Sequence, residues 1–234
     1  MQLRPRRLNT GIAILFMIGS AGFAVGATHA YASAVGATAD AVTFFVSSIF
    51  FTLASFWQLV QSQSADMAPG AAHHDERQHV RFLAWLPRDR AWVAATTQLP
   101  GTLFFNGSTF WAITTASTSS QYDKVVWRPD LYGSILFLVS STFAVLAAGR
   151  FFSWRPRAAG WRIAWLNMIG SLAFMGAAIG AYVLPSSGEA ISLTWADRGT
   201  FVGAVCFFVG ALLAIPAWKR AADTAPASET AETA

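Results

Sequence analysis

Few residues in this 234-residue chain could do chemistry, and they are scattered. His73, His74, Asp75, Glu76 and His79 bring imidazoles and carboxylates together in a donor set that suits zinc or nickel. The stretch also contains Met67-Ala68-Pro69-Gly70 and glutamines, as a solvated loop does, so it is read as loop polarity. No metal or cofactor is expected. Gln98, Asn106 and Asn167 place amides in apolar surroundings, as a polar path for a small solute or as contacts between helices, with Asn106 bonded to Asn167. Pro100, beside Gln98, must free a backbone carbonyl and bend its helix, and broken helices line solute sites in transporters. Trp127, Arg128 and Asp130 form a candidate outer-face site. The alternative is a rigid joint, with Pro129 setting the angle and Arg128 pairing with Asp123 or Asp130. The single cysteine, Cys206, allows no internal disulfide and is read as packing. No nucleophile elbow, phosphate-binding glycine loop, HExxH motif or catalytic carboxylate pair occurs, so an enzyme is not expected.

The elements that would position these groups follow from composition. Hydrophobic residues make up 54% and charged residues 12%, against about 25% charged in soluble domains. No Asp, Glu, Lys or Arg occurs in 8–39, 41–65, 91–122, 131–149, 163–188 or 199–218. Each window holds the roughly 20 residues that cross about 30 Å of hydrocarbon as a helix, the form that satisfies its own backbone there. The expected fold is all-α, an integral membrane bundle of six helices over 10–31, 40–60, 92–116, 130–149, 161–184 and 197–217. Hairpins occupy 10–60, 92–149 and 161–217, after a basic N-terminus (1–9). A loop with an interfacial segment (61–91) and a basic loop (150–160) join them, and a disordered tail follows (218–234). Trp92, Trp127, Trp154, Trp161, Trp195 and Trp218 fall near span ends, where indole rings prefer to sit.

The net charge of +4 is a matter of topology rather than of nucleic-acid binding. Outside the charge-free windows, 13 basic residues lie on one side and 3 (Lys124, Arg128 and Arg198) on the other. The positive-inside bias therefore puts both termini in the cytoplasm of a cell membrane. Arg4, Arg6 and Arg7, the apolar stretch after them and Ala30-Tyr31-Ala32 imitate a secretory signal. The apolar stretch is longer than an h-region of about 7–15 residues, so it is expected to stay as a helix.

An internal repeat supports that reading. Residues 12–31 (IAILFMIGSAGFAVGATHAY) overlie 163–182 (IAWLNMIGSLAFMGAAIGAY), sharing MIGS, Phe23 with Phe174 and Tyr31 with Tyr182. Then 39–45 overlies 196–202, and Phe50-Phe51 overlies Phe207-Phe208. A weaker middle copy sets 103–108 over 15–20, Gly107-Ser108 matching Gly19-Ser20, and 137–143 over 44–50. Asp40, Asp130 and Asp197 head the even helices, where an N-cap belongs. Three parallel hairpins imply a pseudo-threefold bundle with small residues at its contacts.

Met168-Ile169-Gly170-Ser171 with Phe174, then Gly199-Thr200 with Phe207, Phe208 and Gly210, resembles the YrhK-like membrane family of uncharacterised actinobacterial multi-pass members. The segments 105–110 and 126–134 are similar to larger relatives of that family. Where the family's even helix repeats a Gly-Ser, this chain has Gly210-Ala211. The resemblance implies a two-helix membrane module and no activity. The expected role is a non-enzymatic organising or sensing module, with the lipid bilayer as partner and a second copy or another membrane protein as candidates. The alternative is a channel or facilitator for a small neutral solute along the polar third helix. A reporter fused to the C-terminus is expected to be active only on the cytoplasmic side, and an externally active fusion would overturn the topology.

Overall fold

The computed structural model describes residues 1–67, 76–114 and 119–223. His73, His74, Asp75 and the tail 224–234 lie outside them, as does the expected end of the third span at Ala116. The chain is helical. Its helices are α1 (Pro5–Gly26), α2 (His29–Val35), α3 (Ala37–Ser62), α4 (Arg90–Thr114), α5 (Ser119–Tyr122), α6 (Arg128–Ala148), α7 (Ala159–Gly180) and α8 (Leu193–Asp223). A π-helical turn, Asp123–Trp127, joins α5 to α6. A short antiparallel pair, β1 (Gln2–Leu3) with β2 (Gln78–His79), ties the N-terminus to the loop after α3.

Five helices are long and apolar enough to cross a membrane: Pro5–Gly26, Ala37–Ser62, Asp123–Ala148, Ala159–Gly180 and Leu193–Trp218. The 25-residue α4 is long enough but is diluted by Thr96, Thr97, Gln98, Asn106, Ser108 and Thr109. The six long helices close a ring, each packed on two neighbours in the order α1, α3, α4, α6, α7, α8 and back to α1.

The helix ends differ from the sequence reading. α1 starts at Pro5, whose missing N–H is no loss in a first turn. It stops at Gly26, where the Thr28 hydroxyl donates to Val25 O (2.7 Å), and the chain resumes as the separate α2. None of the three aspartates is an N-cap. Gly36 precedes α3 and leaves Asp40 inside its first turn. Pro129 lies within a continuous helical run and has no N–H for the preceding turn, which the wider π turn absorbs, so Asp130 falls inside the helix. Ser192 caps α8, its Oγ accepting from Trp195 N (3.3 Å) and leaving Asp197 a turn further in. The cap that sequence reading missed is Asp89, whose Oδ1 accepts from Ala91 N (2.8 Å) and Trp92 N (3.2 Å) at the head of α4. α7 ends at Gly180 rather than near Leu184, because the chain turns into a bridge between Val183 and Ala190.

Six phenylalanines, one from each long helix, fill the centre: Phe23, Phe51, Phe105, Phe137, Phe174 and Phe207. Their centroids lie from 5.1 Å (Phe105–Phe137) to 6.5 Å (Phe137–Phe174) apart. Edge-to-face contacts such as Phe23–Phe51 (87°) suit the ring quadrupoles and are worth about 0.5–1.5 kcal/mol each beyond burial. Every one of the six follows a pair of small residues one helical turn earlier: Gly19-Ser20, Ser47-Ser48, Gly101-Thr102, Gly133-Ser134, Gly170-Ser171 and Gly203-Ala204. Phe207 lies on Gly170 and Phe174 on Gly203, where an added Cβ would stand 2.9 and 2.8 Å from the ring. Phe137 on Gly101 and Phe105 on Gly133 are placed alike, and Phe51 lies on Gly19. The second member of each small pair is at most 1% exposed.

This packing corrects the register read for the middle hairpin. The place of Gly19-Ser20 is taken by Gly101-Thr102 and not by Gly107-Ser108, since nothing lies within 4 Å of a Cβ built on Gly107. Phe137 stands where Phe51 stands, not Phe44, and Phe51 matches Phe207 rather than Phe208. Gly170→Ala is therefore expected to lower the thermal unfolding midpoint in detergent, because the Phe207 ring and the Gly203 carbonyl must give way. Gly107→Ala is expected to leave it unchanged or raise it, by up to about 1 kcal/mol of helix propensity.

Candidate functional site

The ring encloses two cavities along its axis, on either side of the phenylalanine layer. The one at the end where α3, α6 and α8 begin, called outer after the expected topology, is about 120 Å³ and draws its walls from all six long helices. Phe23, Phe44, Phe51, Phe105 and Phe174 line it with Ser48, Thr109, Asp130 and Thr200. The inner one, about 110 Å³, is lined by Asn9, Gln58, Gln61, Gln98 and Asn167 beside Phe16 and Phe207. Phe137 is 1% exposed, and its ring meets Phe51 and Phe105 of the outer lining and Phe207 of the inner one.

Helix geometry accounts for the inner amides. Gln58 and Gln61 are three residues apart on α3 and share a face. Gln98 lies about two turns into α4, where its Oε1 accepts from Ser140 Oγ (3.3 Å), which also donates to Ala94 O (2.8 Å). Gln58 Oε1 and Gln61 Nε2 are buried without hydrogen-bond partners, polar groups that a solute or water would satisfy. Asn167 fits because Gly210 faces it, a Cβ there standing 2.8 Å from its Oδ1.

Of the expected polar group, the structure thus unites Gln98 and Asn167 and separates Asn106. The Asn106 amide donates to Thr52 Oγ1 on α3 (2.9 Å) and not to Asn167. It is a helix contact between α3 and α4, with its Oδ1 buried and unpaired.

The expected outer-face group is divided. Trp127 Nε1 donates to Ala178 O on α7 (2.8 Å) and its ring lies 4.6 Å from that of Tyr182. Arg128 pairs with Asp123 (2.8 Å) and not with Asp130. Asp130 instead lines the outer cavity, and among the described residues no ion pair or hydrogen bond reaches its carboxylate. Tyr122 lies near enough to feel it: burial first, and then the Asp130 charge, raise the Tyr122 hydroxyl above its usual range. Sequence reading missed Asn9, Gln58, Gln61, Ser48 and Thr200 as cavity residues, and placed Thr109 only among the polar residues of the third span. The i, i+3 spacing of Gln58 and Gln61 was the available signal.

Glu76 and His79 are the described part of the metal-like cluster, and His79 Nε2 lies 3.3 Å from Gln2 Nε2 across the β1–β2 pair. Among the described residues no group of three His, Cys, Asp or Glu is placed to hold a metal ion.

No protein-family model, curated protein or solved structure matches the chain. Trp127→Phe keeps the ring against Tyr182 and removes only the N–H bond to Ala178. It is expected to lower unfolding stability in detergent by about 1 kcal/mol, measured as the shift of the thermal midpoint.

Proposed function

We propose that the protein is a six-span facilitator in the cytoplasmic membrane that passes a small solute along the axis of its helical ring. Both termini are inside. The observation that carries this reading is a pair of cavities at successive levels of the ring, one lined by amides and one holding a carboxylate and hydroxyls among aromatic rings, with the phenylalanine layer between them. An apolar constriction between wetted vestibules is a barrier that opens by side-chain rotation or small helix shifts. The sixth span is α4. Its polar residues are turned to use inside the ring, Gln98 on the inner cavity and Thr109 on the outer, while Asn106 bonds to α3. A helix whose polar groups face a cavity or a neighbour crosses lipid at a lower mean hydropathy than one wholly bathed in it.

Three copies of one hairpin account for the recurrence of a small pair four residues before each central phenylalanine, and the resemblance to YrhK-like two-helix modules agrees with that origin. A non-enzymatic organising or sensing role stands second. It is favoured by the completeness of the plug, since a purely structural core would bury Phe137 just as fully.

The two readings differ in stopped-flow measurements on proteoliposomes with urea, glycerol and methylammonium. Phe137→Ala, which opens the plug, is expected to raise the flux of at least one solute by about tenfold or more over protein-free vesicles, the wild type giving less. Flux equal to that of empty vesicles for both proteins, each folded and monodisperse, would sink permeation in favour of the organiser. A single stoichiometric partner recurring in captures from native membranes would add to that case.

A further inference from the structure

We infer that the outer cavity is a binding site for a small organic cation, a methylated or primary ammonium group, with Asp130 as its counter-ion. This deepens the permeation reading by naming the solute class, and it rests on that reading only for the direction of passage.

The charge comes first. Asp130 faces the cavity from within a helix, and Arg128, two residues before it, is engaged by Asp123 at 2.8 Å. No lysine or arginine lines the cavity. A carboxylate taken out of bulk water without a cationic partner is costly, and a bound cation removes that cost. The hydroxyls point the same way. Ser48 and Thr109 each donate to a carbonyl of their own helix, Phe45 O and Phe105 O, at 2.7 Å. The two oxygens also lie 3.1 Å apart, so one hydroxyl donates to the other, and with their protons held within the protein they face the cavity chiefly as acceptors, which suits a cation.

The remaining walls select the kind of cation. Ca²⁺ takes six to eight oxygens, and Mg²⁺ an octahedron of them. Here one carboxylate and three hydroxyls stand among five phenylalanine rings. Aromatic walls hold alkylammonium groups through the ring quadrupole and the apolar contact of their methyls. The volume also agrees. Engineered cavities of about 150 Å³ hold benzene, so about 120 Å³ takes a group of a few heavy atoms.

The test is calorimetric titration of the full chain in detergent with tetramethylammonium chloride, against sodium chloride and the neutral tert-butanol. Saturable tetramethylammonium binding is expected in the wild type. It should weaken by at least about tenfold in Asp130→Asn and persist in Asp130→Glu, with both variants monodisperse. Equal binding to wild type and Asp130→Asn would overturn the assignment. So would competition by sodium at equal concentration, or tert-butanol binding as tightly as the ammonium. Ammonium binding without flux would remove permeation alone. Urea or glycerol flux without ammonium binding would remove this assignment alone.

Discussion

The architecture depends on one kind of contact, a phenylalanine ring laid on a glycine of the partner helix. In α7 and α8 the exchange is reciprocal, Phe207 on Gly170 and Phe174 on Gly203, and α4 and α6 repeat it with Phe137 on Gly101 and Phe105 on Gly133. In lipid there is no hydrophobic drive between helices, so association rests on close approach and dispersion. A glycine provides both a low point in the helix surface and room for the ring. The small residue beside it, never more than 1% exposed, then faces the adjacent helix pair. Between α6 and α7 that contact gains hydrogen bonds, Ser171 Oγ with Ser141 Oγ at 2.8 Å and with Phe137 O at 3.2 Å. One turn of helix thus serves two interfaces.

The same contact decides what the axis can hold. Because each helix gives its aromatic ring at the same level, the middle of the ring is dry and filled, and space remains only above and below it. Those two spaces differ chemically. The inner one has amides, which both donate and accept, with Gln58 and Gln61 each leaving an atom unpaired. The outer one has a carboxylate and hydroxyl lone pairs among aromatic rings. A side chain that is unpaired in a close-packed protein is unusual, and here such groups border space rather than packed atoms.

α4 explains how a helix of modest hydropathy belongs in this ring. Gln98 bonds with Ser140, Asn106 bonds with Thr52, and Thr97, Thr102 and Thr109 donate to carbonyls of their own helix. Pro100 lies inside the helix between Gln98 and Thr102. Hydropathy counts each of these residues as if it met lipid, although most of their polar atoms meet protein.

Much of this was legible in the residues alone. Charge-free windows predict apolar helices in the right rough place, five of the six expected being long and apolar enough to cross a membrane, because length and transfer energy are properties of a segment by itself. The five apolar helices follow from local chemistry of that kind, whereas the choice of Asp123 over Asp130 as the partner of Arg128, and of Thr52 over Asn167 as the partner of Asn106, came only with the packing. So did register. Gly-Ser pairs look alike wherever they occur, and only packing separates Gly101, which receives a ring, from Gly107, which receives nothing. The placing of Asp130 was equally out of reach, since Pro129 suggested a helix start and the π turn that carries the helix past it is a compromise with neighbouring elements. Which polar residues share a cavity depends on the rotation of each helix about its own axis. That rotation is set by the partner's phenylalanine, and so by the tertiary structure.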